Sequence, residues 1–278
     1  MTDSGHVAVY SRFVNVGGIR THYLDAGDGP PIVLLHSGEF GGSAQLCWEY
    51  NIAALATEHR VIAPDWLGFG QTDKLRDFVS GSERMVKHMA AFLDTMAIDE
   101  ADFVGVSMGA TMLLREAASN RCRFPVRRMV VASGGGFIPD NEFRRSNMNY
   151  DGTPEMMRTI VEANFTDSRW HNDQDYIARR VAASNAPGAW ESVAAARFKS
   201  PVLPPRTEFG QADTIEYENI PYATLAVAGS EDKLREPGYH DALRRIPDCE
   251  VVVLEGAGHL LNIECADQFN ALVRGFLS

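Results

Sequence analysis

The pentapeptide Gly-Val-Ser-Met-Gly at positions 105–109 constrains the fold of this chain more than any other feature. It follows an apolar run at positions 102–106 that predicts a buried strand, and Ala-Thr-Met-Leu-Leu directly after it predicts a helix. Ser107 is therefore predicted to lie on a sharp strand-to-helix turn. The flanking glycines permit this turn because a side chain there would collide with the neighbouring strand or helix. The free NH groups of the helix N-terminus favour negative charge near the serine hydroxyl.

Strand and helix patterns alternate along most of the 278 residues, which predicts a mostly parallel sheet in an α/β fold. A helix is expected over positions 43–58, another near 239–245 and a last one at the C-terminus. Eight segments have the apolar, β-branched composition of strands. They are positions 12–16, 19–24, 32–35, 60–64, 102–106, 128–132, 224–228 and 250–254.

The region between the sixth and seventh predicted strands has no strand-like run for some 85 residues. It contains helical patterns and several aromatic residues, which is too much apolar content for a disordered linker. We interpret it as a helical lid over the substrate pocket. The predicted units are a first core part at 1–137, the lid at 138–220 and a second core part at 221–278.

Composition excludes several classes of function. The net charge of −11 argues against nucleic acid or an anionic membrane as a partner, because both need a basic surface. No apolar run approaches the length of a membrane span, and positions 1–10 lack the pattern of a signal peptide. The four cysteines have no metal-ligand spacing and suit a reducing cytoplasm. We expect a cytoplasmic enzyme for a small-molecule substrate, without metal or cofactor; a homo-oligomer is left open.

Two further residues of catalytic type follow predicted strands. Asp232 comes after the seventh strand and His259 after the eighth. Ligands bind at the carboxyl ends of the strands in open sheets. The order Ser107, Asp232, His259 is that of a serine-acid-histidine triad on such a sheet. Glu231 is the second choice for the acid; taken singly, Asp232 would be read as a turn residue and His259 as a loop histidine.

The triad chemistry needs each partner. A serine hydroxyl is a weak nucleophile until a base takes its proton, and a histidine with a pKa near 6.5 can accept that proton and return it. Asp232 would fix the tautomer of His259 and stabilise its imidazolium form.

A glycine-rich loop, His-Ser-Gly-Glu-Phe-Gly-Gly at positions 36–42, follows the third predicted strand. We assign an oxyanion hole to the NH groups of Gly38, in this loop, and Met108, after the nucleophile. Losing one such donor raises a reaction barrier by roughly 3 to 4 kcal/mol. His36 is expected to brace the loop; the alternative is an ordinary turn.

With these motifs the chain is similar to the α/β-hydrolase superfamily over nearly its whole length. Within it, the chain resembles the meta-cleavage-product hydrolases, which cut a carbon-carbon bond in ring-opened aromatic catabolites. The resemblance implies an α/β-hydrolase fold with a mostly parallel eight-stranded sheet and a helical lid. It rests on positions 13–21, 61–70, 107–109, 149–157 and 266–270.

The family ketonises a dienol substrate and cleaves it with water or the serine, and a lid arginine binds the acidic end of the substrate. The resemblance assigns this role to Arg179, with Arg180 directly after it; the alternative for Arg179 is a surface arginine on a helix. The other predicted contacts of the substrate are Ser37, Glu39, Val106, Trp190 and Leu260.

Three positions depart from the family pattern. Val106 replaces an asparagine before the nucleophile, and Leu260 replaces a tryptophan after the histidine. Losing the amide removes a polar contact and predicts a less polar substrate or one of another class. Glu39 replaces a glycine, and its carboxylate disfavours a dianionic substrate.

Three functions stay open at this point: a hydrolase of vinylogous diketones from meta ring cleavage, a carboxylesterase with the same triad, and a ligand-binding receptor on a hydrolase scaffold. An epoxide hydrolase or dehalogenase would need aspartate at position 107.

Overall fold

One sheet of eight strands organises the computed structural model, which describes residues 7–198 and 209–278. The strands are β1 (Val9–Val16), β2 (Ile19–Ala26), β3 (Pro31–Leu35), β4 (Arg60–Pro64), β5 (Ala101–Val106), β6 (Val126–Ala132), β7 (Thr224–Gly229) and β8 (Cys249–Leu254). Their order across the sheet is β1-β2-β4-β3-β5-β6-β7-β8. Strand β2 pairs antiparallel with β1 and β4, and the remaining pairs are parallel. The predicted fold class is confirmed.

The central strand β5 is buried along all six residues, as a strand covered on both faces must be. Because side chains alternate between the faces of a strand, its residues enter two different cores. Phe103 packs in the core that contains Phe92 and Leu113. Val104 packs in the core on the other face, with Trp48 and Phe269. Helices therefore cover both faces of the sheet, and only its edges and strand ends are left for ligands.

Eleven α-helices lie within the described residues. They are α1 (Ala44–Trp48), α2 (Ile52–Leu55), α3 (Ser82–Thr95), α4 (Met108–Ala117), α5 (Glu142–Met148), α6 (Pro154–Asn164), α7 (Ser168–Asn172), α8 (Gln174–Ser184), α9 (Ala189–Ala194), α10 (Leu261–Glu264) and α11 (Ala266–Leu277). Short 3₁₀ helices span Ala195–Arg197, Tyr217–Asn219 and Tyr239–Arg245. At positions 239–245 the structure has a 3₁₀ helix where the sequence pattern predicted an α-helix.

The continuous helix predicted over positions 43–58 is wrong, because two short helices, α1 and α2, occupy this segment. Asn51 lies between them and is fully buried. Its side-chain amide donates to the carbonyl of Asn262 at 2.9 Å and to Oδ1 of Asn270 at 2.8 Å. These bonds to the C-terminal helices account for the break, and no local pattern reveals them.

The region between β6 and β7 contains the five helices α5 to α9, and this confirms its helical character. Its interior is aromatic: the ring centroids of Phe165 and Trp170 are 5.1 Å apart, and those of Trp170 and Tyr176 are 4.9 Å apart. Part of the predicted lid, positions 199–208, lies outside the described residues. The unit boundaries at 137/138 and 220/221 stay predictions.

Within the part of the chain that the structure describes, no helix has the length and apolar character needed to cross a membrane. The same residues include no group of three or more His, Cys, Asp or Glu side chains arranged to hold a metal ion. All four cysteines are free thiols.

Gly109→Ala is expected to destabilise the protein, because a Cβ at this position would lie 2.1 Å from the carbonyl oxygen of Leu35. Forcing α4 away from β3 should cost about 2 to 3 kcal/mol of unfolding free energy, as overpacking does. Gly275→Ala is the matched control, since nothing lies within 4 Å of its Cβ position in α11. This change should stabilise the helix by about 0.5 to 1 kcal/mol. Chemical denaturation measures both; equal effects would contradict the tight α4–β3 contact.

Candidate active site

Ser107 lies on the sharp turn between β5 and α4, with φ of 53° and ψ of −112°. A positive φ is strained for a residue other than glycine, and such strain concentrates at functional sites. Gly105 permits the close approach of the helix, since a Cβ there would lie 2.7 Å from the backbone nitrogen of Ala110. The NH of Ser107 donates to the carbonyl of Ala132 at 2.8 Å, which ties the turn to β6. The serine hydroxyl is thereby held beyond the end of the sheet.

The structure brings the three predicted triad side chains together. Nδ1 of His259 lies 2.9 and 2.8 Å from the two carboxylate oxygens of Asp232, and its Nε2 lies 2.7 Å from the hydroxyl oxygen of Ser107. With Nδ1–H donating to the carboxylate, Nε2 is left to accept the serine proton. Glu231, the alternative acid, is exposed to solvent.

Asp232 and His259 are positioned by the loops that follow β7 and β8. The NH of Leu234 donates to Oδ1 of Asp232 at 2.9 Å and orients the carboxylate. The NH groups of His259 and Leu260 both donate to the carbonyl of Asn164, at 2.9 and 3.1 Å. Asn164 is the last residue of the lid helix α6, so the lid itself holds the histidine loop.

Glu264 makes a second connection between the lid and the histidine loop. One carboxylate oxygen accepts the NH of Gly258 at 2.7 Å, and the other accepts the NH groups of Thr166 and Asp167 at 2.7 and 2.6 Å. No local motif marks Asn164 or Glu264, because each joins segments that are far apart in the chain. Asn164 accepts from His259 and Leu260, and Glu264 accepts from Thr166 and Asp167, across about 95 to 100 residues in each case.

Burial lowers the pKa of His259 below the ordinary histidine value; Asp232 opposes the shift, whereas the charges of Arg144 and Arg235 add to it. Burial disfavours the charged form of Asp232, but the charge and hydrogen bond of His259 hold the pKa of this carboxyl below its usual value. At neutral pH the pair therefore consists of a carboxylate and a neutral imidazole. That is the protonation state in which a histidine acts as a base.

The glycine-rich loop after β3 lies beside the nucleophile turn. His36 braces it, as expected: its Nδ1 donates to the carbonyl of Ser37 at 2.6 Å, and its Nε2 accepts the NH of Trp66 at 3.0 Å. Gly38 lies directly against Met108, since a Cβ on Gly38 would be 2.6 Å from the Met108 sulfur. The two residues predicted for the oxyanion hole are thus neighbours, and both line the pocket that contains the serine.

Glu39 also lines this pocket, whereas the structure does not bring Arg179 into it. Arg179 lies on the surface side of α8 and forms an ion pair with Glu49 at 2.6 Å. Arg180 points inward instead, is 1% exposed and donates to Glu39 at 2.8 Å and to the Tyr176 hydroxyl at 3.2 Å. Of the two adjacent arginines, the buried one is therefore Arg180, and its partner is a carboxylate of the chain itself.

The remaining predicted contact residues lie behind the pocket surface. Val106 and Leu260 are fully buried in the hydrophobic core. Trp190 is partly buried, donates from its indole NH to the carbonyl of Tyr150 at 3.0 Å and has its ring centroid 6.4 Å from that of Phe40. Ser37 is buried, with its hydroxyl directed to the sulfur of Cys47. These four residues do not line the pocket. They support the side chains that do.

The pocket in front of the triad has a volume of about 310 Å³, and both Ser107 and His259 face it. Its apolar wall includes Met112, Ile138, Met148, Val193, Phe209 and Leu234. Its charged residues are Glu39, Arg115, Arg144 and Arg235. A concave, mostly apolar pocket with a few polar groups next to a histidine of lowered pKa is typical of a small-molecule active site.

The profile of the alpha/beta hydrolase family matches residues 32–272, which is most of the chain. With a doubly covered parallel sheet and a hydrogen-bonded Ser-His-Asp arrangement at its carboxyl edge, this chain belongs to the alpha/beta hydrolase family.

Two curated relatives and one solved structure are similar to this chain over nearly its whole length. The chain is 31% identical to 2-hydroxy-6-oxo-6-(2'-aminophenyl)hexa-2,4-dienoic acid hydrolase of Metapseudomonas resinovorans, over 100% of this chain and 94% of the relative. It is 32% identical to 2-hydroxymuconate semialdehyde hydrolase of Pseudomonas sp. strain CF600, over 96% and 93% of the two chains. A solved structure of the meta-cleavage product hydrolase from Pseudomonas fluorescens IP01 superposes with a TM-score of 0.84 at 29% identity, covering 96% of this chain and 97% of that one.

Asp232→Asn is expected to lower kcat for p-nitrophenyl acetate by a factor of about 10⁴ with the fold retained, because the amide supports the wrong imidazole tautomer. Glu231→Gln is the matched control, since it makes the same chemical change on the adjacent exposed residue and should leave kcat unaltered. Equal loss in both variants would contradict the assignment of the acid.

The pH dependence of kcat/KM should reflect the buried imidazole. The base must be neutral, so activity is lost as the pH falls through the pKa of His259. Since burial lowers this pKa, the acidic limb should lie below pH 6.5, the ordinary histidine value, with a plateau at neutral pH. A kinetic titration from pH 4.5 to 8 measures it; a midpoint above the ordinary value would contradict the effect of burial.

Proposed function

We propose that this protein cleaves a carbon-carbon bond in meta-ring-cleavage products, which are vinylogous diketones, by means of its serine triad. The observation that carries the proposal is the hydrogen-bonded line from Asp232 through His259 to Ser107, which ends in a pocket of mixed apolar and cationic character. The names of full-length relatives at 31 and 32% identity, both hydrolases of ring-opened compounds, support this substrate class.

In the proposed reaction the dienol substrate first becomes its keto tautomer. His259 then takes a proton from Ser107 or from water, and the freed oxygen adds to the carbonyl carbon. The adjacent carbon-carbon bond breaks, and its electron pair passes into the conjugated fragment, which takes up the proton from His259. Water, added directly or to an acylated Ser107, leaves a carboxylic acid and a hydroxydienoate as products.

We infer that the NH groups of Gly38 and Met108 stabilise the oxyanion that forms on the attacked carbonyl. The contact between these residues and the position of Met108 at the N-terminus of α4 support this role. Backbone donors held in place before the reaction need no reorganisation when the charge develops. The surface ion pair of Arg179 with Glu49 argues against a substrate contact for Arg179.

A carboxylesterase is the second candidate, since the same triad and oxyanion donors hydrolyse esters. The apolar residues directly before Ser107 and directly after His259 in the chain, Val106 and Leu260, favour it, because neither supplies a hydrogen bond to a dienolate. A ligand-binding receptor is the candidate of another class. It would keep its ligand under the lid and turn it over negligibly.

We further infer a cytoplasmic location and a small-molecule substrate. Four free thiols suit a reducing compartment, and the pocket volume of about 310 Å³ suits a compact organic acid or ester.

The deciding experiment compares 2-hydroxy-6-oxohepta-2,4-dienoate with p-nitrophenyl acetate in steady-state kinetics. We expect the dienoate to be the better substrate by kcat/KM and to lose its absorbance with formation of acetate. Ser107→Ala should abolish ester turnover, because it removes the hydroxyl that is hydrogen-bonded to Nε2 of His259 at 2.7 Å.

Turnover of the ester alone would overturn the carbon-carbon assignment in favour of the carboxylesterase. Tight retention of the dienoate without products would favour the receptor. Unchanged ester turnover in Ser107→Ala would exclude Ser107 as the nucleophile of ester hydrolysis.

A further inference from the structure

Three arginines line the pocket. Arg115 is exposed to solvent, whereas Arg144 is half-buried and Arg235 is buried, and neither of these two has a carboxylate partner within the described residues. Within residues 7–198 and 209–278, the guanidinium groups of Arg144 and Arg235 donate only to backbone carbonyls. Both side chains line the pocket that contains Ser107 and His259. Buried charges in proteins are normally paired or coordinated, so two unpaired cations facing one cavity point to an anion that enters it.

Arg144 is positioned by the loop that carries the catalytic acid. From the lid helix α5, its Nε and Nη2 donate to the carbonyl of Leu234 at 3.0 and 2.5 Å. A guanidinium has five N–H donors, and in the described part of the chain both N–H groups on Nη1 make no hydrogen bond. Arg144 is thus held in place by one edge and has donors left for a ligand.

Arg235 is more deeply placed, at 6% exposure. Its Nε and Nη2 donate to the carbonyl of Ser133 at 3.1 and 2.6 Å, and its Nη1 donates to that of Gly135 at 2.5 Å. Its guanidinium carbon lies 5.2 Å from the ring centroid of Tyr239. Arg235 therefore supports the end of β6 and also adds positive charge behind Arg144.

The positive charge of Arg235 makes the charged form of Arg144 less favourable. Burial and the charge of Arg235 lower the pKa of Arg144 to about 9, although Asp232 opposes the shift. Both arginines also disfavour the imidazolium form of His259. An anion bound at this wall would relieve both effects, since opposite charge nearby favours the charged form of a base.

The negative charge of the wall is already balanced. Glu39 faces the pocket, but its carboxylate is paired with Arg180 at 2.8 Å, and both side chains are buried. Burial raises the pKa of Glu39, but the charge of Arg180 and the hydrogen bonds that the carboxylate accepts together outweigh this and hold the pKa below its usual value, so the pair stays ionised and internally balanced. A second carboxylate would have to displace Glu39 to reach Arg180.

We propose that Arg144, backed by Arg235, binds the carboxylate of the substrate, and that Arg180 does not. This inference rests on the proposed function, because it names where the acidic end of a ring-cleavage dienoate lies in the same pocket. It assigns the recognition of the acid to the side of the pocket formed by α5 and the loop after β7. The substrate class is then an organic monoanion with the carboxylate apart from the carbonyl that Ser107 or water attacks.

The test uses benzoate and its neutral isostere benzamide as competitive inhibitors of p-nitrophenyl acetate hydrolysis, with kcat/KM for the dienoate measured in parallel. In the wild type, benzoate should bind at least about 10-fold more tightly than benzamide, as one charge-assisted contact implies. Equal inhibition constants would overturn the proposal without any variant, so it does not depend on a variant that folds.

Arg144→Gln should reduce the preference for benzoate by about 10-fold or more and raise KM for the dienoate, because a charged contact of this kind is lost. Arg144→Lys keeps a cation and should keep most of the preference. Arg145→Gln is the matched control: it removes the same charge from the next residue of α5, which is exposed and paired with Asp140. It should leave the preference unaltered.

A preference that survives in Arg144→Gln, or falls equally in Arg144→Gln and Arg144→Lys, would overturn the proposal. So would a preference lost in Arg180→Gln but kept in Arg144→Gln. Absence of dienoate turnover in the wild type would instead reject the proposed carbon-carbon reaction, and the inhibitor pair would still decide whether this wall binds a carboxylate.

Discussion

The strained turn at Ser107 is the constraint on which the site depends. A residue with φ of 53° persists there because β5 is buried on both faces and α4 packs tightly behind it. The glycines at 105 and 109 allow this approach, since a Cβ at either would meet backbone atoms at 2.7 Å or less. The packing of the sheet therefore maintains the strained backbone conformation of Ser107, and this conformation directs the hydroxyl toward His259.

The lid contributes to the catalytic geometry as well as covering the pocket. The carbonyl of Asn164 accepts two NH groups of the histidine loop, and Glu264 bridges that loop to the start of α7. His259 is thus positioned by the sheet on one side and by the lid on the other. A change in the lid near Asn164 would reach the imidazole through backbone hydrogen bonds, without touching the triad itself.

The charged residues of the pocket are not all balanced by partners in the described part of the protein. The family resemblance points to an arginine at position 179 or 180 as the substrate contact, but the arginines without a carboxylate partner are elsewhere in the pocket wall. Glu39 balances Arg180 within the protein, whereas Arg144 and Arg235 donate their hydrogen bonds to backbone carbonyl oxygens and pair with no carboxylate among the described residues. A substrate is selected by charges that the protein leaves unbalanced, because balanced pairs have little left to gain from a ligand. The charges of the same two arginines disfavour the imidazolium form of His259, so the pocket wall and the triad are electrostatically linked.

Local sequence by itself determined the strands, the turn at Ser107 and the order of the triad. Buried strands and glycine-dependent turns follow from the types and spacing of residues within short segments. Eight strands and a helical insertion were predicted from such patterns. Only the tertiary structure decided which of Arg179 and Arg180 points inward, where the helix over 43–58 breaks, and which arginines face the pocket. These outcomes depend on partners from 90 to over 200 residues away, and hydrogen bonds and ion pairs between such distant residues exist only once the chain has folded.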